Sequence, residues 1–354
     1  MTSNTISRYL APALRVAVLI AAALCPLALK AQTDQQFTQY YQVPSLYNPA
    51  AIASTDNIRV RLGGRLQWVG IEHAPKGFLL TGDMPFKLFK KRWGVGLVAQ
   101  QESAGLFRNL TVSAQLAYKQ PLFKGTLTAA VQVGYANEQF RGSEVFIPDD
   151  NDYHDPDDEA IPKTDVSGSA LDLGVGINYE HRYFWAGVGC THVNAPTITF
   201  GDDTGVTGSG GSSSGSGSVS GGTSTGTTIN KYEYHLRRTL YFMAGSNIPI
   251  RNTLFEVMPS MLVKSDFTFT RVEVTALMRY RKLFSFGVGY RHDDAVSAII
   301  GAEYKNFYAG YSYDYPISSI SKASSGSHEL VLGYSFKLDF SKKNQFKHKS
   351  IRIM

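Results

Sequence analysis

Cysteine is nearly missing from this chain, with two in 354 residues, Cys25 and Cys190. Cys25 lies in an apolar opening segment, so a chain that has lost that segment cannot form an intramolecular disulfide. Cys190, inside the strand-like run 184–190, reads as a small apolar residue. Past the opening, no continuous apolar run approaches the ~18 residues that would suggest a membrane helix. Strong net charge is missing as well. The formal charge is +6, and residues 1–31 carry three basic and no acidic residues, so their removal leaves +3. That surplus is too small to point to nucleic acid. Catalytic signatures are also missing: there is no HExxH, no GxSxG and no phosphate-cradling glycine motif. His292-Asp293-Asp294 could sit at a barrel rim as part of a hydrolase site. With no serine or second base to place beside it, it reads as a charged hairpin tip. No catalytic residue, cofactor or metal is expected.

What is present begins with an export signal. Arg8 and Arg15 precede an apolar run from Val16 to Leu29, followed by Lys30-Ala31-Gln32, which predicts cleavage after Ala31. The run has 14 residues between Arg15 and Lys30, short of the ~20 that a spanning helix needs. Leu24 and Pro26 around Cys25 fit lipidation poorly. Residues 32–56 then read as an N-terminal periplasmic segment.

From about residue 57 the period becomes two. Leu330, Leu332, Tyr334, Phe336, Leu338 and Phe340 share one face of the last such segment; Gly333, Ser335, Lys337 and Asp339 share the other. Val272, Val274, Ala276, Met278 and Tyr280 oppose Arg271, Glu273, Thr275, Leu277 and Arg279. Leu171, Leu173, Val175, Ile177 and Tyr179 oppose Asp172, Gly174, Gly176, Asn178 and Glu180. An unbroken apolar face backed by charged residues fits a sheet between two different media. Fourteen segments follow this pattern, near 57–68, 76–84, 92–101, 108–120, 126–140, 167–179, 183–192, 232–247, 253–263, 268–279, 284–291, 296–303, 307–315 and 327–340. Their length suits tilted membrane strands rather than ordinary strands of ~5–6 residues.

The connections alternate. Long ones, 141–166, 193–231 and 316–326, take odd places; short ones, 121–125, 180–182, 248–252, 280–283 and 304–306, take even places. This predicts an all-β transmembrane antiparallel barrel over 57–340, with both termini in the periplasm and the long loops outside. A soluble β-sandwich would share the alternation but not the loop asymmetry. Aromatics at strand ends, including Tyr179, Tyr183, Trp185, Tyr304, Phe307, Tyr308, Tyr311, Tyr313 and Tyr315, suit interfacial girdles. Residues 144–159 hold eight acids; their carboxylates could bind Ca²⁺, but they lack EF-hand spacing and read as a solvated acidic loop. Residues 204–228 are almost wholly Gly, Ser and Thr, the composition of a flexible insertion.

Five blocks in order resemble the PorP/SprF family of the type IX secretion system of Bacteroidetes. QFTQYYQVPSLYNPAAIA carries Gln36, Phe37, Gln39, Tyr40, Asn48, Pro49 and Ala50. RLQWVGIEHAPKGFLLTGDMPF carries Gln67, Trp68, Gly70 and Pro75. YFWAGVGCTHVNAP follows, then MPSMLVK with Pro259, Ser260 and Lys264, and finally GYSYDYPISSISKASSGSHELVLGYSF. The resemblance spans residues 36–336; the Gly/Ser-rich stretch and a basic tail at 341–354 depart from it. It implies a non-enzymatic outer-membrane part of the machine that exports proteins with C-terminal sorting domains, gliding adhesins among them. The partners it implies are outer-membrane lipids, periplasmic ring components and such secreted proteins. A porin or small-solute transporter is the alternative that the same barrel would support.

Two further groups of residues stand out. Gly333, Phe336, Leu338 and Phe340 are similar to the last-strand signal that barrel-assembly machinery reads. Cations occupy nearly every short turn: Lys87, Lys90, Lys91 and Arg92, then Lys124, Arg182, Arg251, Arg281, Lys282 and Lys305. The tail adds Lys342, Lys343, Lys347, Lys349 and Arg352. With acids gathered in a long loop, the chain is polarised along the barrel axis, and the basic rim is a candidate docking surface for periplasmic machinery.

Overall fold

The computed structural model describes residues 35–145, 164–201 and 231–337. Strands β1 (Asn57–Leu66), β2 (Lys76–Leu88), β3 (Lys91–Ala104), β4 (Phe107–Leu122), β5 (Gly125–Arg141), β6 (Asp165–Glu180) and β7 (Phe184–Thr191) run antiparallel in sequence. Strands β8 (Thr197–Gly201) and β9 (Lys231–His235) form a separate hairpin. The wall resumes with β10 (Thr239–Ser246), β11 (Ile248–Pro249), β12 (Phe255–Ser265), β13 (Thr270–Tyr280), β14 (Phe284–Arg291), β15 (Ala295–Tyr304), β16 (Phe307–Pro316) and β17 (Ser327–Lys337). Ten residue pairs join β1 to β17, from Asn57–Lys337 to Leu66–His328, and close the sheet. Apart from the hairpin and the two-residue β11, the wall has fourteen strands, the number read from the sequence. Closure excludes the sandwich. No described helix is long and apolar enough to cross a membrane.

The alternation becomes an inside and an outside. In β17, Leu330 and Leu332 are exposed while Glu329 and Val331 are buried; in β6, Leu171, Val175 and Ile177 are exposed while Asp172 and Asn178 are buried. Val131, Val133, Val288 and Ile300 continue the exposed apolar band. In water so large a patch would be a liability; around a closed barrel it is the lipid-facing wall. Trp185 and Tyr308, read from the sequence among the girdle aromatics, face the lumen instead: Trp185 packs against the interior cluster, and Tyr308 is buried.

Pro121 and Pro316 lie at the ends of β4 and β16, whereas Pro85 and Pro259 sit further inside wall strands, and the hydrogen-bond ladder shows how. Pro259 of β12 has no N–H to give. The register Gly245–Ser260 of β10 continues as Ile248–Val257 of β11, with the ladder interrupted between them beside Pro259. Pro85 of β2 pairs with Gly94 of β3, while the β1 pairing stops at Asp83.

Two sequence expectations change. The segment expected as one strand over 232–247 is divided: residues 231–235 pair with 197–201, and the wall strand starts at Thr239. The hairpin so formed folds inward, packing Ile198 and Phe200 against inward-facing Ala136 and Val166. The stretch 32–56, expected to lie in the periplasm, is described from Gln35, and from there to Ala53 it lies inside the barrel. Its side chains and backbone reach β2, β4, β6, β12, β13, β16 and β17. A short segment that touches strands all round a closed sheet can do so from within.

Candidate functional site

The inner segment cannot be a strand. Pro44 and Pro49 each open a 3-10 turn, Pro44–Leu46 and Pro49–Ala51, after a first turn at Tyr40–Gln42. Asn48 caps the third turn, its Oδ1 accepting from Ala50 N at 2.9 Å. Such a path leaves backbone groups without ladder partners, and buried groups of that kind need others. The wall supplies them. Glu329 accepts from Thr38 N at 2.7 Å and Gln39 N at 2.8 Å, and Asp83 accepts from Ala53 N at 2.7 Å. Gln115 Nε2 donates to Ser45 O at 2.8 Å, and Lys119 donates to Ala53 O. Within the segment, Tyr47 Oη accepts from Phe37 N at 2.8 Å.

Apolar packing adds to this. Phe37, Tyr40, Val43, Tyr47 and Ile52 are almost fully buried, and the Tyr47 ring packs at a tilt against Tyr241 with centroids 5.3 Å apart. Side chains of this kind contribute about 1.5–3 kcal/mol each on full burial. Glycines let the backbones approach. A Cβ on Gly189 would sit 2.3 Å from Tyr47 O, and one on Gly176 would sit 2.1 Å from Asn48 Oδ1.

One buried charge network fixes the start of the segment. Arg65 donates to Asp314 at 2.7 Å and Glu329 at 3.0 Å; Arg291 donates to Glu273 and to Asp294, each at 3.0 Å. Thr38 Oγ1 accepts from Arg65 Nη1 and Arg291 Nη2, each at 3.0 Å, and lies within donating distance of Asp314. Gln36 donates to Glu273. Removing one partner from such a network leaves a buried charge uncompensated.

The sequence-singled residues therefore converge. Gln36 and Gln39 bind wall side chains, and Phe37, Asn48, Pro49 and Ala50 are buried. Tyr40 Oη lies 2.9 Å from Ser260 Oγ, beside Pro259 in β12, and Lys264 is buried further along the same strand. Gln67, Trp68, Gly70 and Pro75 do something different: they shape the β1–β2 loop. Gln67 N donates to Pro75 O at 2.9 Å, Trp68 N donates to Ser327 Oγ at 3.1 Å, and Gly70 has φ +104°. Val69 N donates to Gly326 O at 2.8 Å, clasping this loop to the one before β17.

The sequence reading missed Arg65, Arg291, Asp314 and Glu329. The available signal was arginines and acids alternating with apolar residues in the strands, which by itself says only that they face away from lipid. Asp294 of the His292-Asp293-Asp294 cluster is engaged with Arg271 at 3.3 Å as well as with Arg291.

The short turns lie at one end, with the start of β1 and the end of β17. Lys87, Lys90, Lys91 and Arg92 are exposed there. Phe89 and Lys90 have φ +50° and +62°, and Phe123 and Lys124 have φ +45° and +63°. The two phenylalanines are 85% and 83% exposed. Of the assembly-signal residues, Gly333 and Phe336 lie in β17, with Phe336 exposed. Leu338, Phe340, Lys342 and Lys343, like the acidic loop from 146 and the Gly/Ser-rich stretch, lie outside the described residues.

The segment divides the lumen. Toward the short turns, a cavity of about 360 Å³ is lined by Tyr41, Trp185, Met243 and Met258 among others; toward the long loops, one of about 70 Å³ lies under the β8–β9 hairpin. Among the described residues, no three His, Cys, Asp or Glu side chains group as a metal set.

These features define a closed transmembrane β-barrel whose lumen is filled by its own N-terminal segment. Residues 29–334 match the family model described as type IX secretion system membrane protein PorP/SprF. The chain belongs to that family, and its place is the outer membrane. Comparison with curated proteins gives no match. Solved barrels align at low identity. The outer membrane protein Omp33 of Acinetobacter baumannii aligns at 7% identity, over 80% of this chain and 99% of that one, with a TM-score of 0.42. The P. putida toluene transporter TodX aligns at 10%, over 84% and 94%, also with a TM-score of 0.42. The CymD monoaromatic hydrocarbon channel aligns at 9%, over 87% and 95%, with a TM-score of 0.45.

Proposed function

We propose that this chain is a non-enzymatic docking component of the type IX secretion machinery, exported by a signal cut after Ala31. It holds periplasmic ring components, secreted proteins with C-terminal sorting domains, or both, gliding adhesins included. The observation that supports this most is the filled lumen. With residues 35–53 fixed inside, the surfaces left for function are the two rims. The short-turn rim faces the periplasm in this reading, and the long loops face outward.

The short-turn rim has the character of a binding surface. Type I′ turns with both central residues at positive φ favour Asn-Gly; here neighbouring hairpins carry Phe-Lys in that conformation. Each such residue costs about 1–2 kcal/mol in backbone strain, and strain of this kind is retained where a side chain has a use. Two exposed phenylalanines among lysines suit a partner with an acidic, partly apolar surface. The test is affinity capture from native outer membranes. Periplasmic secretion components or sorting-domain proteins should be recovered in stoichiometric amounts; capture of neither would count against docking. A porin or small-solute transporter is the second reading, and it requires the inner segment to leave the lumen.

A further inference from the structure

The small cavity beneath the β8–β9 hairpin is separate from the network that holds the inner segment. Cross-strand register sets Glu102 of β3 opposite Asn109 of β4, and Asn109 opposite Glu138 of β5. All three line the same cavity. Directly opposed residues have Cβ atoms about 4.5–5.5 Å apart, so the two glutamates flank Asn109 on either side. Glu138 is 2% exposed and has neither a hydrogen bond nor an ion pair among the described residues, and its charged neighbour is a second anion, Glu102. Three further oxygens point to the same need. Asn109 Oδ1, Ser113 Oγ and Thr191 Oγ1 are buried without hydrogen-bond partners, and their residues line this cavity; Ser113 and Thr191 are more than nine-tenths buried. A buried carboxylate beside a like charge is unfavourable unless something positive joins it.

We propose that this cavity is a divalent-cation site of the calcium type. Glu102 and Glu138 supply carboxylate oxygens, Asn109 supplies its amide oxygen, and water completes the shell. Calcium takes about 6–8 oxygens at ~2.3–2.6 Å in forgiving geometry, whereas magnesium demands a near-ideal octahedron. Two long glutamates and one amide on a single wall suit the former. The cavity of about 70 Å³ holds an ion and a few waters, each needing roughly 10–15 Å³ in this measure; it is too small for a peptide segment. Asp172, nearby, is already held by His192 at 2.9 Å. The ion would tie β3, β4 and β5 together where the hairpin packs on Ala136. This site does not rest on the docking reading.

Chelator-treated full-length protein in detergent, titrated calorimetrically with calcium chloride, tests it. A site saturating at one ion per chain is expected, with a higher unfolding temperature in calcium. Glu102→Gln combined with Glu138→Gln should abolish that site and the thermal shift while keeping heat-modifiable mobility. A loop variant with Asn in place of Asp149, Asp150, Asp152, Asp155, Asp157 and Asp158 should keep both. No binding by the unaltered protein at millimolar calcium, or a site that survives the double substitution and disappears in the loop variant, overturns the proposal. If the double variant does not assemble, Asn109→Leu leaves both carboxylates and should weaken binding roughly tenfold or more; unchanged affinity overturns the proposal.

Discussion

Thr38 Oγ1 lies 2.9 and 2.8 Å from the two carboxylate oxygens of Asp314, across 276 positions of sequence. The hydroxyl is fully used: it accepts from Arg65 and Arg291 and gives its one hydrogen to Asp314. Threonine is small enough to stand between two guanidinium groups and a carboxylate and still complete all three. Thr38→Val keeps the shape and removes the hydroxyl. Hydrogen bonds to charged groups are worth about 1.5–3 kcal/mol, so the segment should leave its seat roughly 10- to 150-fold more often. Bursts of current in planar bilayers would show this, with the barrel still heat-modifiable; a silent variant would mean that Thr38 does not gate the seat.

The Phe-Lys turns carry a trade-off. Replacing Phe89 with Asn and Lys90 with Gly fits the type I′ turn and should stabilise the hairpin by about 1–2 kcal/mol. If Phe89 contacts a partner, capture of periplasmic components should fall even as thermal stability rises. Stability and capture rising together would show that the strain serves no partner.

The cations at this rim are tested separately. Changing Lys87, Lys90, Lys91 and Arg92 to Ser, and deleting residues 341–354, should slow export and reduce capture without unfolding the barrel. Charge of this kind steers association more than it supplies affinity, so raising salt should slow association of the unaltered protein toward the variant's rate and narrow the difference between them. Export at the original rate with both changes combined would leave Lys342, Lys343 and the turn cations without a docking role.

Much of the wall was legible because each strand repeats one rule, apolar out and polar in. Leu330 and Glu329 differ by one position and face different media. Alternation needs no knowledge of neighbours. The inner segment obeys no period. Its conformation comes from Pro44, Pro49 and Asn48 and from wall groups far away in sequence, so QFTQYYQVPSLYNPAAIA could be matched as a motif without its place being visible. The inward charges carried the same ambiguity. Arg65, Glu273 and Glu329 suit a water-filled lumen as well as a seat for a peptide, and distance, not composition, separates the two. The split of 232–247 was hidden for another reason: residues 231–235 alternate as wall strands do but pair with 197–201.

Assembly gives a prediction on the lipid face. Phe336 is exposed on β17, and Phe340 follows the same parity. Phe340→Asp would remove the aromatic that ends the proposed last-strand signal. Outer-membrane levels should collapse, read by membrane fractionation and heat-modifiable mobility. Normal levels would mean that the ending is an ordinary strand.

The central claim is that residues 35–53 close the barrel, and single-channel recording tests it most directly. Full-length protein reconstituted in planar bilayers should pass no steady ion current. Thr38→Val combined with Gly189→Leu, whose side chain would enter the space of Tyr47 O, should open a persistent conductance in a barrel that remains folded. A steady open-channel current from the unaltered protein, undiminished in size relative to the variant, would contradict the account.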